Sequence, residues 1–409
     1  MYVMPFWSYR STPDGCVVAN RLSGSTAHAP AVIIDLLENL YAGEADRNDS
    51  TELIELAKSL NLIFDSVDAA ETWYSELEHS WLCEFPAVDQ IELTNRCPYS
   101  CKMCPRTLEM ERSLGDMSLD LFERIIKQLS GRQTYVGLHH FGESLLHPGL
   151  AHAVAIASAR GLKTGLSCNP PTLRPEISAR LLDAGISNMV LSLDSLDAVT
   201  YRDIRGPAAR IDRADSNLRE LVRLRNQGAH ETLITLQMIS MHCNQAEAES
   251  FLEYCREVGV DRGVVIRLGK WDFDDEYMET LGEFTSPGYD GYCKRPWDSL
   301  VILWDGRVVP CCHDYDGAVV LGDLREQSLD EIWRSAQVKR FQERNFEYEL
   351  CQKCAFSRWS RERQRQTEGF RRFHYDRDCG GARKEWRNPE SQALFDRQSA
   401  SEGFDVLID

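Results

Sequence analysis

The sequence predicts a parallel α/β fold, and three observations point to it. From about residue 88 onward, short β-rich runs alternate with helix-period segments. The runs are apolar at consecutive positions, as strands buried on both faces are. Several of the helix candidates between them end in glycine, at Gly161, Gly185, Gly228 and Gly259, where a helix C-terminus commonly places a left-handed residue. Six such units over roughly 180 residues fit either an incomplete barrel or an open doubly wound sheet, and the pattern alone leaves both open.

Taken in chain order, residues 1–85 read as a separate small module. "TAHAPAVIIDLLENLYAG" and "DSTELIELAKSLNLIFD" each read as a helix, the second opening on Asp49 with Glu52 in a capping-box arrangement, and "LIF" continuing as a strand. Two helices with short strands resemble a winged-helix module able to hold a peptide; a structural cap is the alternative. Residues 86–287 contain the strand candidates "VDQIEL", "YVGLHH", "KTGLSC", "NMVLSL", "TLITLQMIS" and "GVVIRL". Between the first two, "MSLDLFERIIKQL" puts Phe122, Ile125, Ile126 and Leu129 on one helical face, with Ser118 as its N-cap. Residues 288–388 read as a small cysteine-bearing domain and residues 389–409 as a polar tail. Between Arg358 and Arg387 the basic residues outnumber the acids about two to one, with aromatic residues interleaved, which reads as an exposed amphipathic helix closing the fold.

Composition narrows the function classes. With 43% hydrophobic and 27% charged residues over 409 positions, the chain has the make-up of a globular protein with two or three domains. A formal net charge of -18 argues against nucleic acid and anionic membranes as partners. No apolar run approaches ~18 residues, and the first ten residues lack the order of a signal peptide, so the expected location is the cytoplasm. Thiols stay reduced there, and the 14 cysteines then point to metal binding or catalysis rather than to disulfides.

"CPYSCKMC" gathers Cys97, Cys101 and Cys104 into one short loop directly after the first strand candidate, with no fourth cysteine nearby. Zinc sites usually take their ligands as pairs of close neighbours, so a tetrahedral site here needs a distant fourth ligand. A four-iron four-sulfur cube held by three thiolates keeps one iron open for a substrate or cofactor. The loop resembles the C-x-x-x-C-x-x-C loop of the radical S-adenosylmethionine (SAM) enzymes, and further motifs follow in that family's order.

The resemblance implies a partial (β/α)6 TIM-like barrel whose open iron is chelated by S-adenosylmethionine, giving a 5'-deoxyadenosyl radical that abstracts a hydrogen atom. "HHFGESLLHP" looks like the Gly-Gly-Glu segment, with Gly142 and Glu143 retained and Phe141 in the first glycine's place. Glu143 is then expected to accept from the cofactor's ammonium group and Arg205, in "YRDIRG", to pair with its carboxylate. Asn169, Ser192 and Asp194 stand at the polar strand ends, and Met103 where the family often has an aromatic residue beside the adenine. An electron donor such as a flavodoxin or ferredoxin is implied as a partner.

Further on, Cys293, Cys311, Cys351 and Cys354 make a second set, sufficient for one whole cluster. "WDGRVVPCC" and "LGDLREQSLDEIWRS" resemble the SPASM and twitch extensions of the family, which bind auxiliary clusters; only Cys379 follows, so the shorter twitch-like form is expected. Cys312 competes with Cys311 as ligand, and a four-cysteine zinc ribbon is the alternative. The expected cofactors are S-adenosylmethionine and two 4Fe-4S clusters, one catalytic and one auxiliary.

A cluster with no open iron suits electron transfer, which makes dehydrogenation one expected outcome. Epimerisation is the other, and it needs a hydrogen donor, for which Cys243 in "MISMHCNQ" is the candidate and Cys168 a second thiol at a strand end. The polar set His139, His140, His147, Asp272, Asp274, Asp275, Glu276 and Asp290 suits a hydroxylated small molecule, such as a sugar or aminocyclitol of an antibiotic pathway. Maturation of a ribosomally made peptide is the competing enzyme class, and an iron–sulfur redox sensor or scaffold the competing non-enzyme.

Overall fold

The computed structural model describes residues 2–3, 7–12, 14–20, 23, 25–41, 51–81, 83–269, 271, 275–282, 293, 295–354, 383–388 and 391. Their strands are β1 (Tyr2–Val3), β2 (Trp7–Thr12), β3 (Gly15–Asn20), β4 (Thr26–Ala29), β5 (Ile63–Phe64), β6 (Ala87–Ile91), β7 (Tyr135–Gly137) and β8 (Lys163–Cys168). They continue with β9 (Asn188–Ser192), β10 (Leu233–Ser240), β11 (Arg262–Arg267), β12 (Ser299–Ile302), β13 (Arg307–Val309), β14 (Gly322–Asp323) and β15 (Arg383–Arg387). The chain divides into two compact units. One is Met1–Glu84 with Ser286–Trp297 and Ala355–Gly381; the other is Phe85–Thr285 with Asp298–Cys354 and Ala382–Asp409.

In the first unit, β2, β3 and β4 form an antiparallel sheet in that order, β1 pairs with β5, and helices span Val32–Tyr41, Thr51–Ser59 and Val67–Trp81. "TAHA", expected as the start of a helix, is a strand instead. Pro30 explains the difference, because a residue before proline is driven to extended geometry and a helix accepts proline only in its first turn. The Asp49 capping box lies outside the described residues. Val18, Ile33, Leu37, Leu62 and Ile63 pack together as the core. Buried Asn20 ties β3 to the end of the second helix, donating through Nδ2 to the carbonyls of Leu60 at 3.0 Å and Asn61 at 2.9 Å.

In the second unit all six strand candidates are strands, and they lie side by side in chain order within the sheet β14-β13-β12-β6-β7-β8-β9-β10-β11-β15. Every pairing from β6 to β11 is parallel. A doubly wound sheet reverses its strand order at a switch point; this one does not, and the sequential order is that of a barrel. Curvature follows from packing: Tyr135, Val190 and Val264 touch although they sit on the alternate strands β7, β9 and β11, which is possible only across the inside of a curved sheet. The pairing continues that inner face to Gln90, Ser167, Ser192 and Gln237, so the upper interior is polar.

The strands' other faces meet the helices. In Leu119–Leu129 the predicted face of Phe122, Ile125, Ile126 and Leu129 is completely buried, each side chain contributing about 1.5–3 kcal/mol. Ser118 caps this helix, accepting from the Leu121 N–H. The edges of the six-strand arc are taken by later chain. β12 adds in parallel to β6 and leads through the antiparallel β13 and β14, while β15 pairs antiparallel with β11. Residues 383–387 were expected in a helix; the unpaired N–H and C=O row along β11 makes them a strand. The rest of that basic stretch lies outside the described residues. Among the described residues, no helix is long and apolar enough to cross a membrane.

Three of the four helix-ending glycines are left-handed, Gly161 at φ 77°, Gly185 at φ 86° and Gly259 at φ 80°. The fourth is not: Gly228 stays right-handed at φ -81°, and the left-handed step falls on Ala229 at φ 50°. An L-residue with a Cβ is strained there. Ala229→Gly is therefore expected to stabilise the second unit by about 0.5–1 kcal/mol, measured as a raised denaturation midpoint of the cluster-free chain.

Candidate cofactor and active site

The site grows from the chain that leaves β6. Thr94–Arg96 leads into the cysteine loop, and the loop after β7 presses on it: a Cβ on Gly142, which has φ 113°, would lie 2.4 Å from the Thr94 carbonyl oxygen. Only glycine fits this approach. The Glu143 N–H then donates to the Arg96 carbonyl at 2.8 Å. Glu143 is fully buried. Its Oε2 accepts from the Asn169 N–H at 2.9 Å and from Asn169 Nδ2 at 2.8 Å. Burial pushes its carboxyl up to about 7, against the pull of those hydrogen bonds. A cation placed beside it would restore its charge.

Asn169 faces both ways, since its Oδ1 accepts from Arg205 Nη1. Arg205 Nε donates to Asp194 Oδ2 at 2.6 Å, and Nη1 also reaches Cys101 Sγ at 4.0 Å. Asp194 Oδ1 accepts from the Ile239 N–H at 2.9 Å. Both Asp194 oxygens are thus occupied by protein, which makes it a residue that positions Arg205. Ser192, one alternation back on β9, faces the interior with only 9% of its surface exposed.

Each sulfur of the loop has a donor aimed at it. Burial pushes the Cys97 thiol up to about 11 and the Cys101 thiol up to about 12, and raises Cys104 as well. The Tyr99 N–H on Cys97, the Arg205 guanidinium near Cys101 and the Arg106 and Thr107 N–H groups on Cys104 pull the other way. The three thiols form no disulfide and are close enough to repel one another as anions. Thiolates that are buried at Cys101 and half-buried at Cys97 and Cys104, hydrogen-bonded and needing positive charge, fit an iron–sulfur cluster. Met103, between Cys101 and Cys104, is buried. The loop is closed by Tyr99, whose hydroxyl meets Thr172 Oγ1 at 2.7 Å.

The other expected residues fall in several places. Cys243 is exposed in the turn after β10. Cys168, paired across from Leu191, faces the helix layer, and burial raises its thiol well above the usual range. His147 is held by the Met117 carbonyl at 2.9 Å and by the Gly149 N–H at 3.2 Å, a structural arrangement. Burial lowers His139 to about 4 and leaves its Nδ1 without a partner among the described residues. His140 Nδ1 lies 3.0 Å from Gln90 Oε1. Asp272, Asp274 and Asp290 lie outside the described residues; Asp275 opens the helix Asp275–Leu281, on which Glu276 is exposed. Of the second cysteine set, Cys311 and Cys312 follow the β12–β13 hairpin, and Cys351 and Cys354 lie on and just after the helix Glu349–Lys353, all in the second unit. Cys293 belongs to the first unit, and Cys379 lies outside the described residues.

Two residues at the heart of this region escaped the sequence reading. Glu92, at the end of β6, is completely buried and bound by both terminal nitrogens of Arg112, with Arg112 Nη1 2.6 Å from Glu92 Oε2. Arg112 Nε donates to the Tyr315 carbonyl at 2.6 Å, and the Glu111 and Arg112 N–H groups to Asp316 Oδ1, each at 2.8 Å. The Glu92 carboxylate also accepts from the Phe141 and Trp304 N–H groups, each at 3.3 Å. The Phe141 ring stands edge-on to His140, Trp271 and Tyr315, with centroids 4.6, 5.6 and 5.9 Å away. The cluster loop, the β7 end and the segment after Cys311 thus share one buried ion pair. The available signal was slight: Glu92 is one of three polar residues, with Asp89 and Gln90, in a stretch that otherwise alternates with apolar ones.

Comparison with known proteins agrees with this arrangement. The radical SAM superfamily matches residues 91–242, and SPASM, an iron-sulfur cluster-binding domain, matches residues 293–355. The tungsten-containing aldehyde ferredoxin oxidoreductase cofactor-modifying protein of Pyrococcus furiosus is 26% identical over 314 residues, covering 65% of this chain and 86% of its own. The PqqA peptide cyclase of Rhodopseudomonas palustris is 24% identical over 303 residues, covering 66% and 80%. Streptococcus suis SuiB, solved with its precursor peptide SuiA, is similar in fold with a TM-score of 0.52 at 14% identity, covering 87% of this chain and 93% of SuiB. The two matched domains assign S-adenosylmethionine and two 4Fe-4S clusters as the cofactors.

Removing one partner of a buried ion pair leaves the other charge uncompensated. Arg112→Met is expected to destabilise the second unit by about 3–5 kcal/mol in denaturant unfolding, and Glu92→Leu combined with Arg112→Met to recover most of that loss.

Proposed function

We propose that this chain, which belongs to the radical SAM superfamily and carries a SPASM cluster domain, takes a hydrogen atom from a peptide substrate gripped by its first unit. The observation behind the peptide is the breadth of the likeness to SuiB. Residues 86–409 make up less than four fifths of the chain, so a match over 87% of it includes part of the N-terminal module. Among the described residues β2 and β4 each pair with β3 alone, which leaves two sheet edges to which an extended peptide can add as a strand. The PqqA peptide cyclase among the relatives supports the same class.

When bound, the cluster and S-adenosylmethionine supply a 5'-deoxyadenosyl radical, the abstracting agent. In this reading Cys97, Cys101 and Cys104 hold the cluster, Glu143 accepts from the cofactor's ammonium and Arg205 donates to its carboxylate. Asn169 and Ser192 line the same cavity, Met103 lies beside the adenine, and Asp194 keeps Arg205 in place. Gly142 allows the β7 loop to approach closely enough to bring Glu143 in. Cys293, Cys351, Cys354 and Cys311, or Cys312 in its place, hold the second cluster, which suits the acceptance of an electron, with a flavodoxin or ferredoxin as donor in a reducing cytoplasm. A hydroxylated small molecule is the second reading, favoured by the polar interior: Gln237 Oε1 and His139 Nδ1 are buried there without partners among the described residues. The outcomes proposed are dehydrogenation and epimerisation.

Anaerobic incubation with S-adenosylmethionine and dithionite is expected to release 5'-deoxyadenosine, and Cys104→Ala to reduce it to the level without enzyme; release by Cys104→Ala equal to wild type refutes the cluster assignment. No cleavage by the wild type would return the chain to a redox sensor or scaffold. Full-length protein titrated with labelled short peptides encoded beside its gene is expected to bind one of them saturably. No binding, with 5'-deoxyadenosine release stimulated by polyols, assigns the small molecule instead. Inversion of a carbon centre needs a hydrogen donor, and Cys243 is our candidate. Solvent deuterium is then expected in the product and lost in Cys243→Ala, whereas a deuterium-free wild-type product assigns dehydrogenation.

A further inference from the structure

We propose that Arg205 sets the reduction potential of the cluster on the three-cysteine loop by donating to the Cys101 sulfur. The inference rests on Cys97, Cys101 and Cys104 being cluster ligands, and it concerns the protein before S-adenosylmethionine binds.

The helix Ala198–Arg205 ends against the cysteine loop, and its last carbonyls, which have no partner within a helix, are satisfied by that loop. The Ser100 N–H donates to the Arg205 carbonyl at 3.1 Å and the Lys102 N–H to the Ile204 carbonyl at 2.9 Å. The two residues flanking Cys101 are therefore suspended from the helix end whose side chain reaches the Cys101 sulfur, with Nη1 4.0 Å from Sγ. The contact is tight at the turn as well, since a Cβ on Gly206 would lie 2.1 Å from Ser100 Oγ.

The guanidinium has little freedom to leave. Nε is held by Asp194 at 2.6 Å, and Asp194 is fixed by the Ile239 N–H and by Asn244 Nδ2, which donates to its carbonyl at 2.5 Å. Arg205 is 6% exposed and Asp194 not at all, so solvent does little to screen the charge. Lys102 makes the contrast. It too is a cation beside Cys101, but it pairs with Asp203 at 2.8 Å with side chains 41% and 54% exposed, where water weakens its field.

The sign follows from charge. One electron from a low-potential donor adds one negative charge to the cluster, and part of it appears on the thiolates. A fixed cation at Cys101 stabilises the reduced form and raises the potential. Asp194 offsets this only in part, because it binds Nε, while Nη1 is the nitrogen that reaches the sulfur.

The test is a potentiometric titration of the full-length, iron-reconstituted protein without S-adenosylmethionine, followed by electron paramagnetic resonance, with the second cluster as internal reference. The midpoint of the three-cysteine cluster is expected to move to more negative potential in Arg205→Gln, to move less in Arg205→Lys, and to stay in place in Lys102→Ala. A wild-type midpoint in an intact Arg205→Gln cluster overturns the proposal, as does an equal shift in Lys102→Ala. Should Arg205→Gln assemble no cluster, an unshifted Arg205→Lys overturns it. A wild-type protein that assembles no cluster on Cys97, Cys101 and Cys104 is a separate result, visible in the iron content, and refutes the cofactor assignment instead.

Discussion

A buried guanidinium has to have its donors answered, and Arg205 finds partners in three places that are distant in sequence. Asp194 follows β9, Asn169 follows β8, and Cys101 lies on the loop after β6. Asn169 passes the connection to Glu143 after β7. One side chain therefore fixes the C-terminal ends of four neighbouring strands relative to one another. This works only because β6 to β9 lie side by side in chain order, so that the ends of consecutive strands meet. The acid and the base expected to take the two ends of a zwitterion are held apart by the amide of Asn169, which can bond to both without carrying charge itself.

Glu92 and Arg112 do a related job with a different reach. Their pair joins the end of β6 to the backbone at Phe141, Trp304 and Tyr315. The segment after Cys311 is thereby set against the barrel by charge-assisted hydrogen bonds, stronger than neutral ones in a place with little water. The many ion pairs on the outer helices, such as Arg219 with Glu257, are solvent-exposed and contribute far less.

How much of this was legible in the sequence depends on how local its cause is. The six barrel strands were, because each is a short apolar run ended by a polar residue or glycine, and so was the Ser118 cap, which needs only the next three residues. "TAHA" was missed because the rule that decides it sits in one residue, Pro30, and was outweighed by the helix pattern that follows. Residues 383–387 could not be read as a strand from their own composition, since what makes them one is the vacant edge of β11, more than a hundred residues earlier. Within the site, the order of the motifs was legible and their wiring was not. Asp194 reads as a cofactor contact until the fold brings Arg205 beneath it, and Arg112 lies in an irregular loop where nothing marks its partner.

The two ends of the barrel's arc have a consequence for how the protein is made. β6 waits for β12, and β11 waits for β15, each more than a hundred residues further along, so each edge stays uncovered while the intervening chain is made. Until then β6 and β11 each present a row of unpaired backbone groups at the edge of the sheet, the state in which chains cross-pair. A strand only five residues long and dense in charge, β15, thus closes the second edge. Shortening the chain at that end would leave the barrel exposed to its own copies before it ever met a cofactor.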